Sequence, residues 1–235
     1  PLIEPLGLHR TLTATANTSV ARVQCIAEWA DVWGTGIRLG IDATGKAVAQ
    51  WLNPWDTTQE RTVTSATTFA NGRTHVFAAT LSDNGSGTST LRLFVNGNEL
   101  GSAATFPTPS PNYILPTLTR LSLGGTTYGD MFEGTLSHVA GFGSELNSGQ
   151  LLEHYEASST GFSGETTGQR ISRIGEWAGI SSFFISPDVG LTTVGHVDPA
   201  GKTAWGYMQE VADTEAGILF VDTQGAVRMY ERERT

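Results

Sequence analysis

Residues 74–103, THVFAATLSDNGSGTSTLRLFVNGNELGSA, decide the fold. Two strand-like runs meet at a polar, glycine-bearing tip from Asp83 to Gly87. In the second run Leu91, Leu93 and Val95 share one face, with Arg92 and Asn96 on the other, as the two-residue period of an extended chain requires. Phe94 interrupts the polar side, so that face is expected to be partly covered as well. The run then enters Asn96-Gly97, and both residues tolerate the positive φ of a type I′ turn, which makes the pair a strong hairpin signal.

Working outward, further strands are expected at 11–16, 20–29, 36–42, 47–52, 62–69, 75–81, 90–95, 120–123 and 135–142. Turn chemistry punctuates them at 42–45 (DATG), Asn53-Pro54 and Asn71-Gly72. Leu136 and Val139 are three apart, which puts them on opposite faces of a regular strand. A bulge near His138 reconciles them, and so does a strand apolar on both faces. Many short strands without intervening helices predict a mainly β fold, a sandwich or a barrel.

A helix closes this part, with Asn147 as cap, Gln150 three residues on, and Leu151, Leu152 and Tyr155 as its apolar stripe. Residues 157–164 read as a linker. Beyond it Thr166 and Gln169 have capping-box spacing, and Ile171, Ile174, Trp177 and Ala178 form one helical face. Arg170, Arg173 and Glu176 fall elsewhere and are expected in solvent. Asp198-Pro199 is expected to open another helix with Ala204, Trp205, Met208, Val211 and Ala212 as its stripe. A hairpin then joins 218–221 to 226–230. The expected organisation is a sandwich over 1–160 and a small, incomplete α+β (ααββ) segment over 161–235.

Fourteen basic and 23 acidic residues give a net charge of −9, a field that disfavours nonspecific nucleic-acid or anionic-membrane binding. No apolar run approaches the length of a membrane span. The single cysteine, Cys25, lies in a strand-like run and reads as an inert hydrophobe. The chain begins with Pro1 and ends directly after a strand, so it reads as a piece of a longer polypeptide.

Residues from about 5 to 157 resemble the concanavalin A-like lectin/glucanase superfamily in its laminin-G-like branch. The resemblance rests on 36–45 (GIRLGIDATG), 71–80 (NGRTHVFAAT), 91–97 (LRLFVNG), 121–125 (LSLGG), 132–139 (FEGTLSHV) and the helix bearing Leu152, His154 and Tyr155. It implies a jelly-roll sandwich of two antiparallel sheets. Residues 161–235 are similar to a segment of minor tail or baseplate-hub proteins of phages infecting actinobacteria. The residues concerned are 167–174 (TGQRISRI), 175–179 (GEWAG), 188–190 (DVG), 204–215 (AWGYMQEVADTE) and 217–222 (GILFVD). That similarity implies a virion tail protein, made in the bacterial cytoplasm, with other tail-tip proteins as partners and a homo-oligomeric state.

Hydrolases on this fold need clustered carboxylates facing one side of a cleft, about 5 Å apart for retention. Glu28 and Asp31 are three apart and would face opposite ways on a regular strand, and Asp56 and Glu60 flank a loop, so no enzyme is expected. Sugar binding needs aromatic platforms beside hydroxyl acceptors. Trp55 and Asp56 near Asn53-Pro54, with Tyr113, Tyr128 and Asp130 in other loops, are the candidates for contact with host cell-wall glycan. Trp55 serves either as such a platform or as a loop anchor, whereas Trp29, Trp33 and Trp51 are expected in the core. Relatives often use calcium, for which Asp83, Asn84 and Asp130 offer oxygens, though a solvated turn is the preferred reading. Glycines 34, 36 and 40 are one residue too widely spaced for a dinucleotide fingerprint and read as a loop. The alternatives to adhesion are a structural spacer of the tail and a wall hydrolase.

Overall fold

The computed structural model describes residues 9–31, 33–84, 86–108, 120–126, 130–197 and 201–231. Two compact units divide at Ser158 and Ser159. In chain order the first contains β1 (Arg10–Asn17), β2 (Gln24–Ala30), β3 (Gly36–Ile41), β4 (Lys46–Leu52), β5 (Arg61–Thr68), β6 (Thr74–Asp83) and β7 (Thr88–Val95). β8 (Asn98–Pro107), β9 (Arg120–Leu123), β10 (Thr135–Phe142) and the helix α1 (Ser148–Ser159) complete it.

The strands form two five-stranded antiparallel sheets, ordered β10-β1-β6-β7-β8 and β5-β4-β3-β2-β9. Inward residues of both sheets make one core, among them Leu12, Leu39, Trp51, Phe77, Leu93 and Phe106. Trp51 stacks on Phe106 across the sandwich, with ring centroids 5.8 Å apart. Burying a large aliphatic side chain of this kind contributes about 1.5–3 kcal/mol, so the inward rows hold the two layers together without a staple. This is a mainly β, jelly-roll sandwich.

The hairpin signal is realised: Asn96 and Gly97 take φ of 53° and 77° and join β7 to β8. β8 itself extends over ten residues, of which Leu100, Ala104 and Phe106 face the core in a sparse inward row. His138 adopts φ of 47°, and the β1–β10 register slips between the Thr13 and Thr15 pairs, so the bulge reading of Leu136 and Val139 holds. Phe94 is buried as well: with Ala78 it packs beneath Leu151, so α1 seals the outer face of the first sheet.

The outer face of the second sheet carries mostly polar side chains on β3, β4 and β5, with Val48 among them. One cross-strand row runs Ser122, Glu28, Arg38, Gln50, Thr62 over all five strands. Gly36 and Gly40 lie within β3 rather than in a loop, because neither has room for a side chain. A Cβ on Gly36 would stand 2.2 Å from the Trp29 carbonyl oxygen, and one on Gly40 2.4 Å from that of Gln24.

The second unit contains α2 (Thr167–Trp177), α3 (Ala204–Asp213), β11 (Ile218–Val221) and β12 (Val227–Tyr230). Both halves of the capping box form: Thr166 accepts from the Gln169 amide, and Gln169 accepts from the Thr166 amide. Ile171, Ile174, Met208, Val211 and Met229 build its core. Three expectations are corrected. Arg170 is buried, donating to Glu165, Tyr207, and the carbonyls of Phe162 and Gly195. Trp177 and Trp205 are exposed, and Tyr207 takes the inward place on α3. α3 is capped by Thr203, whereas Asp198-Pro199 lies outside the described residues.

Candidate functional site

The loop between β2 and β3 is organised by one carboxylate. Asp31 is buried, and its Oδ1 accepts from the amides of Trp33 (2.7 Å) and Thr35 (2.8 Å), while its backbone N–H donates to the Thr35 carbonyl. Gly34, at φ of 91°, completes the turn beside Pro54. The loop between β4 and β5 is equally self-bonded. Asn53 accepts from the Trp55 amide and donates to Gln59. Asp56 caps the short 3-10 turn Thr57–Gln59, accepting from the Thr58 amide and hydroxyl and from the Gln59 side chain.

Two indoles project from these fixed loops. Trp33 and Trp55 are each 61% exposed, with ring centroids 5.6 Å apart and planes at 66°. Trp33 was expected in the core; Asp31 turns it outward instead. Hydrophobicity alone does not distinguish Trp33 from Trp29, which packs against the core. The usable signal was the D-x-W-x-T spacing from Asp31 to Thr35, which lets an aspartate close a turn over its own following amides.

The loops emerge at the Gly36–Leu52 end of the β3–β4 ladder, two residues from the Arg38–Gln50 pair. From that pair a cavity of about 200 Å³ runs over the outer sheet face, lined by Gln24, Arg38, Asp42, Gln50, Thr64 and Asp130 among others. Arg38 Nε and Nη2 both donate to Glu28 Oε2, Arg120 donates to Oε1, and Arg38 Nη1 lies 3.5 Å from Asp130. Glu28 is 2% exposed and spends both oxygens on arginine. Cys25 lies beneath, its amide bonded to the Asp130 carbonyl, and burial pushes its thiol up to about 12.

Of the anticipated sugar-contacting residues, Trp55 and Asp56 share one loop, and Asp130 lies in the cavity beside Arg38. Asp56 faces its own loop's donors. Tyr113 and Tyr128 lie outside the described residues. The anticipated calcium oxygens are not brought together: Asp83 and Asn84 sit at the β6–β7 tip of one sheet, and Asp130 adjoins the other. Asn84 donates to the hydroxyls of Thr88 and Thr90, and Asp83 accepts from Thr108. Among the described residues no cluster of three or more histidine, cysteine, aspartate or glutamate side chains could hold a metal ion.

Residues 12–151, from β1 into α1, match the family described as the concanavalin A-like lectin/glucanases superfamily. The chain belongs to that superfamily. Its sandwich is thus of the lectin/glucanase type, related to carbohydrate-binding domains. No curated protein matches this superfamily member. Among solved structures it is similar to a heptameric SAP-like pentraxin from Limulus polyphemus, at 10% identity and a TM-score of 0.43, covering 62% of this chain and 69% of that one. Domains LG4-5 of the mouse laminin alpha1 chain align at 15% identity and 0.43, covering 63% and 39%. Domain 4 of the arabinanase AbnA from Geobacillus stearothermophilus, in complex with arabinotriose, aligns at 12% and 0.46, covering 63% and 66%. This superfamily member therefore spans about two fifths of the laminin structure's length. No helix of the described residues is long and apolar enough to cross a membrane.

Proposed function

We propose that the sandwich is a non-catalytic glycan-binding module, contacting sugar through Trp33, Trp55 and the adjoining open face of the second sheet. The observation that carries this is the indole pair: two large apolar rings held out in water on loops that need neither ring for their own closure. Such rings stack on the apolar face of a pyranose, and the neighbouring Gln50, Thr62 and Asp130 supply hydroxyl partners. Against hydrolysis stands the engagement of Glu28 and Asp130 with arginine. A hydrolase needs a proton donor and a second carboxylate free to face the scissile bond.

The similarity of residues 161–235 to tail-hub segments supports placing this module on a phage tail, assembled in the bacterial cytoplasm, where several copies on one virion would multiply weak contacts with host-wall glycan. Avidity of that kind adds about 10²–10⁴-fold without new contacts. A second role, in tail assembly, is favoured for the second unit by the exposure of Phe183, Val189 and Leu191 within nine residues of chain. Retention of the full chain on purified actinobacterial cell wall, displaced by free saccharide, tests the adhesive reading. Retention only by other tail proteins would replace it with a structural one, and release of reducing sugar with a hydrolytic one.

A further inference from the structure

The relative tilt of Trp33 and Trp55 restricts what shape of glycan they accept. Two aromatic rings serve a flat polymer surface only when their faces lie in one plane, so that both stack on it together. Here the planes meet at 66° with centroids 5.6 Å apart, an edge-to-face pair in which the rings touch one another and leave no slot between them. The open surface is therefore a corner: one indole face as floor and the other as wall.

The loops beneath the corner are fixed by their own hydrogen bonds. Asp31 Oδ1 holds both amides that flank Gly34, and Asn53, Asp56 and Gln59 form a closed hydrogen-bonded set under Trp55. These bonds fix where each indole leaves the backbone, and the edge-to-face contact between the two rings holds their tilt. A rigid aromatic pair loses little entropy on binding, but it also fails to adapt to a ligand of the wrong shape.

Resting on the proposal that this site binds sugar, we infer that the corner takes a single residue, at a chain terminus or a bend, of a soluble and flexible glycan. It does not take the flat face of a crystalline polysaccharide. One pyranose has an apolar face for the floor and a C–H-bearing rim for the wall, and a corner of two rings stacks on nothing further along the chain, leaving the sheet face to bond hydroxyls of that unit or the next. Affinity then resides in one or two sugar units and does not grow with chain length.

The experiment uses the full chain on an array of soluble oligosaccharides, followed by titration calorimetry with the disaccharide and hexasaccharide of the strongest hit. In parallel the chain is sedimented with microcrystalline cellulose and crystalline chitin. Expected are array hits, di- and hexasaccharide affinities within about tenfold of each other, no sedimentation, and a loss of about tenfold or more in both Trp33→Ala and Trp55→Ala. Unchanged melting temperatures establish that these variants fold, and Trp33→Phe, which keeps an aromatic ring at that position, retains most of the binding. Sedimentation with a crystalline polymer, or affinity rising about a hundredfold from di- to hexasaccharide, overturns the corner while leaving sugar binding intact. Array binding unaffected by either alanine substitution does the same. An empty array with no sedimentation overturns the glycan-binding proposal itself.

Discussion

Arg38 holds Glu28 from the neighbouring strand, with Nε at 2.9 Å and Nη2 at 2.7 Å from the same carboxylate oxygen, on a sheet face where Glu28 is otherwise shut from water. Arg120 takes the second oxygen at 3.2 Å. A buried acid stripped of its partners, or partners stripped of their acid, costs more than the intact cluster contributes. Glu28→Ala removes the acid both arginines bond but leaves Arg38 with Asp130 and Arg120 partly in water, so it is expected to destabilise the sandwich by about 3 kcal/mol, the lower end for a broken buried pair. Glu28→Gln keeps the volume and an acceptor and is expected to cost less than half as much. Urea unfolding of the native chain and the two variants checks this, and equal midpoints for the two variants would show that the volume and acceptor kept by glutamine are immaterial.

The seal over the first sheet is as local as one side chain. Leu151 of α1 lies on Ala78 and Phe94, and the three form a cluster separate from the main core. Leu151→Ala removes the inward anchor of the helix and is expected to cost about 2–4 kcal/mol. Because the main core does not depend on α1, amide exchange should rise in residues 148–159 while β1, β6 and β7 stay protected. Uniform loss of protection over both regions would contradict that separation.

These two contacts differ in how far the sequence announces them. Phe94 on a polar face is itself a sign that something apolar lies outside the sheet, and the Leu151 stripe supplies it; both are short-range patterns. β7 is legible for the same reason, its alternation and its turn lying within nine residues. β8 is hard to read because its inward row is only Leu100, Ala104 and Phe106, interrupted by exposed Ser102, so its pairing with β7 defines it more than its pattern does. Trp33 was misplaced because burial of a large ring depends on where its loop turns, and that was set by Asp31 rather than by hydrophobicity. The Glu28–Arg38–Arg120 cluster joins residues up to 92 positions apart and leaves no local trace at all. Arg170 behaves likewise: its spacing puts it off the apolar stripe, yet carbonyls and hydroxyls from three other segments close around it.

Gly36 is a sharper test of how closely β2 and β3 approach. Its missing side chain leaves the Trp29 carbonyl oxygen and the Ala30 Cα where a Cβ would stand, at 2.2 Å and 2.6 Å. Backbone atoms cannot rotate away as a flexible side chain does. Gly36→Ala is therefore expected to spread the two strands and cost about 3 kcal/mol or more, at the upper end of overpacking effects. Gly87→Ala is the comparison, since nothing stands near a Cβ there and only its φ of 78° opposes the change. A denaturant midpoint for Gly36→Ala no lower than that of Gly87→Ala would refute the crowding argument.

His75 gives the sandwich a pH dependence with a defined sign. The Asn96 side chain accepts from the Val76 amide through Oδ1, so its nitrogen faces His75 and donates to Nδ1 at 3.1 Å. Nε2 then carries the proton and donates to Asn71 at 3.1 Å, which makes the imidazole neutral in the fold. Burial, helped by the Arg73 charge, pushes the His75 pKa below its ordinary 6.5. Between the folded and unfolded values the unfolded chain binds more protons, so stability rises with pH there. This contribution is complete above 6.5 and is lost as pH falls through the folded pKa. Unfolding free energies at several pH values from 7.5 down to about 5 are expected to fall more steeply for the native chain than for His75→Gln, which keeps polar groups but binds no proton. The difference between the two slopes isolates His75 from the other histidines, and parallel slopes would refute its role.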